Sequence, residues 1–163
     1  MSNKKLTHVT ESGAARMVNI SDKNTTSRTA VASARVIISN ALLKALKENS
    51  LAKGDAFAVA RIAGIMAAKK TDQLIPLCHT LPLASIDIDI QLQDNPPLVQ
   101  ITTIAKSDYK TGVEMEALTA AGIAALTIYD MGKSIDKCIV IEKIQLESKT
   151  GGKSGDWSRQ VEN

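Results

Sequence analysis

The sequence predicts an α+β fold, a ferredoxin-like sandwich in which an antiparallel sheet carries helices packed on one face, and three observations predict it. Two runs alternate side chains with the period of two that a half-buried strand requires. In the first, Ala30, Ala32, Ala34, Val36 and Ile38 alternate with Val31, Ser33, Arg35 and Ile37; in the second, Ile86, Ile88, Ile90 and Leu92 alternate with Asp87, Asp89, Gln91 and Gln93. The second run meets the turn residues Asp94-Asn95-Pro96-Pro97 and then another β-rich run, Leu98 to Ala105, which makes an antiparallel hairpin. The resulting order of strand, helices, strand, strand, helix and strand is the split βαβ arrangement.

The elements follow in chain order. Residues 1–29 are polar and mixed, with Gly13 and the SDKNTTSRT segment, and read as a loosely structured arm that can still carry ligand contacts. After the first strand, Asn40 is placed to cap a short helix, ALLKALKEN, whose Leu42, Leu43 and Leu46 share a face. A turn at Lys53-Gly54-Asp55 leads into a second helix with Asp55 as its cap. Val59, Ile62, Ala63 and Met66 recur there at helical spacing, and Lys69 and Lys70 suit the helix C-terminus. The segment LIPLCHTLPL, Leu74 to Leu83, precedes the hairpin. From Thr111 to Lys133 runs one long apolar helix, TGVEMEALTAAGIAALTIYDMGK, rich in Ala and Gly and expected to be buried on most sides. A last strand, Cys138 to Leu146, is followed by a Gly- and Lys-rich tail over about 148–163. The 163 residues suffice for one substantial core and are short for two, so the expectation is a single domain with an arm and a tail.

Composition excludes several classes. Hydrophobic residues make up 44% and charged residues 23%, an ordinary globular balance. No apolar run reaches membrane-spanning length, and the polar start MSNKKLTHVT lacks the apolar stretch of a secretory signal, so no membrane partner is expected and the cytoplasm is the expected compartment. Cys78 and Cys138 are the only cysteines and His8 and His79 the only histidines, which leaves no zinc-binding spacing and no expected metal site. A buried thiol is the expected state of Cys138. Net charge is +3 with the basic residues dispersed, and aromatics are 2%, so neither a basic arm nor a stacking platform for nucleic acid is present. A compact anionic ligand held by a few separate Lys and Arg residues fits this pattern.

The long helix confines its chemically able groups to its ends. Glu114 and Glu116 sit near the N-terminus, where the helix dipole favours them; Asp130 near the C-terminus opposes that dipole by about 0.3 to 1 kcal/mol, and Lys133 on the same face offsets part of this. Glu116 and Asp130 fall on nearly one stripe but about 21 Å apart along the axis. Acid and base partners acting on one small molecule lie within roughly 5 to 10 Å. Either the two ends serve different tasks, or one end meets the opposite end of a neighbouring chain's helix. The small residues between them suit close approach by another backbone, whether a partner subunit or the monomer's own core. Cys78 and His79 stand between prolines in an irregular segment, either an apolar connector or a binding loop; adjacent residues pointing apart make a poor nucleophile pair, and His79 is the better polar contact. Lys53 is either a surface turn lysine or, beside Asp130, a proton-exchanging group. The tail segment Gly152-Lys153-Ser154 fails as a P-loop, since Glu147 stands where the first Gly belongs, but Lys149 and Lys153 on a Gly-rich segment remain able to wrap phosphate.

The blocks KGDAFAVARIAGIMAAKKT, LIPLCH, KTGVEMEALTAAGIAALTIYDMGK and GGKSGD, in that order and within a match from Leu6 to Trp157, resemble the MoaC family. The resemblance implies a lyase of molybdenum cofactor biosynthesis that rearranges 3′,8-cyclo-7,8-dihydroguanosine 5′-triphosphate into cyclic pyranopterin monophosphate and releases diphosphate. Proton transfers suffice for such a rearrangement without a redox step. No cofactor is implied, and whether a divalent ion accompanies the triphosphate is left open. By the family pattern Asp130 is the catalytic aspartate, with Lys53 and Lys133 as general acid and base; Leu77, Cys78, His79, Met115 and Glu116 bind substrate, and Glu114 is grouped with them. Glu116 would address the guanine-derived ring, since a carboxylate accepts paired N–H donors. Arg28, Lys23, Lys69, Lys149 and Lys153 are candidates for the triphosphate, assigned partly from charge. The family also implies a homohexamer, a trimer of dimers with sites at a subunit interface. The competing reading is a non-catalytic purine-nucleotide-binding oligomer.

Overall fold

A computed structural model describes residues 15–153 and 155–160; His8, Gly13 and Ser154, and with them much of the expected arm and the end of the tail, lie outside the described residues. The strands are β1 (Thr26–Ile37), β2 (Ser85–Asp94), β3 (Pro97–Tyr109), β4 (Val140–Thr150) and β5 (Trp157–Ser158), and the helices α1 (Asn40–Lys47), α2 (Ala56–Ala68), α3 (Thr71–Leu74) and α4 (Glu114–Gly132). All pairings are antiparallel in the order β2-β3-β1-β4-β5, so the first four strands have the ferredoxin-like arrangement and β5 extends its edge.

The alternation in β1 sets the thickness of the sandwich. Ala30, Ala32, Ala34 and Val36 are buried, as are Val99, Ile101, Thr103 and Ala105 on the neighbouring β3. Three alanines in a row on the central strand leave a shallow surface, and α4 lies on it with its own small residues, Ala117, Ala120, Ala121, Ala124 and Ala125, fully buried. Thr103 Oγ1 ties the layers together by donating to Ala117 O at 2.8 Å, which satisfies a hydroxyl that burial would otherwise penalise. Two register shifts in β4 leave Glu142 and Glu147 without Cα partners on β1. Each bulge aims its carboxylate at a partner, Glu142 at Arg35 and Glu147 at Ser33 and Gln145.

Several expectations need correction. The cap of α1 is Ser39, whose Oγ accepts from Leu42 N at 3.3 Å, rather than Asn40. Asp55 does cap α2, accepting from Phe57 N and Ala58 N at 3.0 Å each. The periodic residues Val59, Ile62 and Met66 face outward, with Ile62 60% exposed, while Ala56, Ala60, Gly64 and Ala67 face inward. A Cβ on Gly64 would stand 2.9 Å from Ala120 O, so α2 and α4 approach too closely there for larger residues. Likewise α4 is buried through its alanines and not on most sides, for Leu126 is 54% exposed. Cys138 is exposed, not buried, because β4 starts at Val140 and the preceding turn lies at the surface. Asp136 holds that turn, accepting from Cys138 N at 2.8 Å and Ser39 N at 2.7 Å. Burial alone would raise its pKa, but these donors hold the carboxyl below its ordinary value.

Candidate functional site

Two clusters of polar side chains stand at opposite ends of α4. α2 runs antiparallel to α4, so the turn before α2 meets the C-terminal end of α4. Lys53 Nζ donates to Asp130 Oδ2 at 2.7 Å and to Asp130 O at 2.8 Å, and Lys133 Nζ reaches Asp130 Oδ1 at 2.7 Å. Gly54, with φ of +91°, lets the chain turn immediately after Lys53. The ammonium groups of Lys133 and then Lys53 pull the Asp130 pKa down to about 2, and Asp130 in turn raises that of Lys133. This cluster is open to solvent: the Asp130 side chain is 55% exposed.

At the other end, the loop Ile75–Leu83 is fixed against the sheet. Ser107 Oγ donates to Pro82 O at 2.6 Å, Ala84 N to Lys106 O at 2.8 Å, and Thr80 Oγ1 to Asp72 Oδ2 at 2.6 Å. A cleft of about 620 Å³ lies between this loop, the first turn of α4 and the segment before β1, lined by Leu77, Cys78, His79, Glu114, Met115 and Glu116 among others. Its walls are mostly apolar with a few convergent polar groups, the usual form of a small-molecule site. His79 Nε2 bonds to Val18 O at 2.7 Å. Glu116 is only 4% exposed, and burial first, then the nearby Glu114 and Asp72 carboxylates, raises its pKa to about 7. Burial, with Glu116 and Asp72, also raises the Cys78 pKa, which keeps the thiol protonated and a poor nucleophile.

Cations lie to one side of this cleft, joined to it through Lys23, which is among its lining residues. Lys23 also lines a smaller cleft of about 190 Å³ with Arg28, Lys110, Glu114 and Lys149, and a third of about 730 Å³ with Arg28, Thr26 and Lys153. Arg28 Nε donates to Tyr109 O at 3.0 Å, and Lys149 Nζ pairs with Glu114 Oε1 at 2.9 Å. Gly151 and Gly152, with φ of +87° and +78°, let the end of β4 turn directly against Arg28: a Cβ on Gly152 would fall 2.2 Å from the guanidinium. The hydroxyl of Thr26 is buried without a partner beside this junction.

The sequence-predicted residues therefore fall into two groups. Leu77, Cys78, His79, Met115, Glu114 and Glu116 come together, with Lys23, Arg28, Lys149 and Lys153 beside them; Lys53, Asp130 and Lys133 form the other group. Lys69 caps α2 near the first group but lines none of the three clefts. Sequence reasoning missed Val18, Ile20, Lys110, Thr111 and Gly112, which line the clefts. The apolar pair two residues apart, just before the polar SDKNTTSRT segment, was the available signal for Val18 and Ile20; Lys110 carried none apart from its place before a helix. Within one chain the two groups cannot act on one small molecule, since Glu116 and Asp130 lie fourteen residues apart on the unbroken α4, about 21 Å. Among the described residues no cluster of three or more His, Cys, Asp or Glu is placed to hold a metal ion, and no helix is long and apolar enough to cross a membrane.

Comparison with known proteins bears on the same residues. The model of the MoaC family matches residues 17–152, a span that takes in both groups. A protein of Corynebacterium glutamicum (strain R) named cyclic pyranopterin monophosphate synthase is 57% identical over 157 residues, 96% of this chain and 99% of that one. Proteins of the same name from a Nocardioides species and from Streptomyces avermitilis are 55% identical over 157 residues and 53% over 155, covering 96% and 95% of this chain and 96% and 90% of their own lengths. With the match running through both ends of α4 and the loop between Ile75 and Leu83, the chain belongs to the MoaC family.

Proposed function

We propose that this chain is a cyclic pyranopterin monophosphate synthase, a lyase that converts 3′,8-cyclo-7,8-dihydroguanosine 5′-triphosphate into cyclic pyranopterin monophosphate and diphosphate in molybdenum cofactor biosynthesis. The observation that carries it is the pairing of a cleft holding a buried carboxyl group, adjoined through Lys23 by clefts lined with Arg28, Lys149 and Lys153, at one end of α4 with a Lys-Asp-Lys cluster at the other. Full-length similarity to proteins bearing that name supports the same reading.

Leu77, Cys78 and Met115 flank the substrate's ring, and Glu116 and His79 read its polar edge. Lys23, Arg28, Lys149 and Lys153 hold the triphosphate, with Lys69 as a more distant contributor; charge-assisted contacts of this kind favour phosphate strongly. Glu114, paired with Lys149, orients that lysine. Asp130 is the catalytic aspartate. Pinned as an anion between two ammonium groups, it keeps Lys53 and Lys133 oriented and holds Lys133 protonated, ready to donate. For either lysine to accept a proton its ammonium form must be destabilised, and covering the cluster so as to exclude water does that. Closure of the cyclic phosphate forms one bond from a sugar hydroxyl to the α-phosphorus as the bond to diphosphate breaks. The hydroxyl proton leaves to a base, and the diphosphate departs among the cations.

Covering the cluster calls for a second chain. The working unit in this reading is a homohexamer, a trimer of dimers, in which the Lys53–Asp130–Lys133 cluster of one subunit completes the cleft of another. The exposed apolar stripe of Val59, Ile62 and Met66 and the length of α4 support it. A substrate derived from a nucleoside triphosphate also favours a cytoplasmic setting. The test is incubation of the purified protein with the cyclised dihydro-GTP: pterin product and diphosphate in equal amounts are expected. Recovery of unchanged ligand from folded, ligand-binding protein would instead mark a non-catalytic nucleotide binder.

A further inference from the structure

Lys110 takes no part in the roles above, yet it lines the 190 Å³ cleft and directly precedes Thr111 and Gly112, which line both that cleft and the 620 Å³ one. Lys23 lines all three clefts at this end of the molecule, so its position governs the whole cationic region. It sits on a short turn in the segment before β1, in which Lys23 N donates to Ile20 O at 3.1 Å and Ser21 N to Asn19 Oδ1 at 2.9 Å. These bonds shape the turn but do not attach it to the body. Among the described residues, two side chains of the body grip it: His79 through Val18 O at 2.7 Å, and Lys110, whose Nζ donates to Ser21 O at 2.6 Å. The same segment supplies Val18 and Ile20 as one wall of the larger cleft, while Thr111 and Gly112, directly after Lys110, form its floor and that of the smaller one. A ligand that engages His79 competes with its bond to Val18 O and leaves the bond from Lys110 to Ser21 O in place.

We infer that Lys110 is a positioning residue, clasping the Ser21 carbonyl so that Val18 and Ile20 wall the cleft and Lys23 is held towards the anionic part of the substrate. This rests on the proposed function only for the identity of that substrate.

The experiment uses the assembled protein with Lys110→Met and Lys110→Arg. Three quantities are measured: amide exchange over residues 15–25 without ligand, affinity for inorganic tripolyphosphate, and kcat and KM with the cyclised dihydro-GTP. For Lys110→Met the expected results are faster exchange confined to that segment, tripolyphosphate binding weakened by about tenfold, and a raised KM with kcat little changed, as for loss of uniform binding. Lys110→Arg, which keeps a donor for Ser21 O, restores exchange protection and most of the affinity. Weakened binding with unchanged exchange would overturn the inference, because Lys110 would then touch the anion itself. Faster exchange with unchanged affinity would overturn it as well. If the wild-type protein turns over nothing, the proposed function falls, while exchange and tripolyphosphate affinity still decide the part played by Lys110.

Discussion

Glu116 and Asp130 are carboxyl groups on one helix with opposite electrostatic fates, and each fate gives a prediction. Burial and two neighbouring carboxylates raise the Glu116 pKa from 4.5 to about 7, so the folded protein binds a proton that the unfolded chain releases over that interval. Stability from this group is therefore full below about pH 4.5 and is lost as pH rises through 7, by up to about 3 kcal/mol at 1.36 kcal/mol per unit. Glu116→Gln keeps the shape and removes the titration. Urea unfolding at fixed protein concentration should show the variant gaining about 1 to 3 kcal/mol on wild type between pH 5 and pH 8; parallel curves would disprove the shift. Asp130 behaves in the reverse sense: its pKa of about 2 makes its ion-pair contribution present above the ordinary carboxylate range and lost only as pH falls towards 2. Because the cluster is exposed, Asp130→Asn should leave the unfolding midpoint nearly unchanged. Loss of the charge that organises Lys53 and Lys133 should nevertheless lower kcat by about a hundredfold or more, and near-normal turnover would remove Asp130 from the chemistry. Asp130 was legible in the sequence because it defies the helix dipole. Glu116 was legible as a polar end group, but its burial was not, since that depends on a loop forty residues away.

Among the elements, the strands were easier to read than the faces of the helices. Alternation at Ala30–Ile38 and Ile86–Leu92 located β1 and β2 because one sheet face meets the helices and the other does not. Their ends were less visible: β1 begins at Thr26 and β3 runs on to Tyr109, where cross-strand pairing rather than side-chain pattern holds the strand. For α2 the large periodic residues marked a face, but the protein buries the opposite one. Close packing against α4 selects for small size over hydrophobicity, so Ala60 and Gly64 go inward and Ile62 outward. Gly64→Ala tests this. The added Cβ would lie 2.5 Å from Ile88 Cδ1 and 2.9 Å from Ala120 O; the side chain can turn away, but the backbone oxygen can move only with α4. Helix propensity alone would favour alanine by about 1 kcal/mol, whereas overpacking costs typically 1 to 3 kcal/mol. A lower urea midpoint is expected, and a raised one would show that the two helices have room to spare.

For the whole molecule, the length of α4 is the controlling dimension. In the proposed reading the cleft and the Lys-Asp-Lys cluster are two halves of one site: the first offers a buried carboxyl beside cations, the second an oriented cluster open to solvent. About 21 Å of helix keeps them apart within a chain, and in the proposed oligomer the apolar residues exposed on α2 and α4 would bring unlike ends of two subunits together. Co-expression of two variants, Asp130→Asn and Arg28→Met, each defective at one end of α4, measures this directly. If sites are shared across an interface, mixed oligomers contain some sites built from the intact end of each chain, and activity should reappear although either variant alone has little. If every site is assembled within one chain, each site keeps one defect or the other and mixing recovers nothing. Ile62→Asp supplies the complementary arm. With Ile62 60% exposed, the charge should leave the fold of the single chain intact, weaken association as judged by light scattering, and reduce turnover in parallel with the loss of assembly.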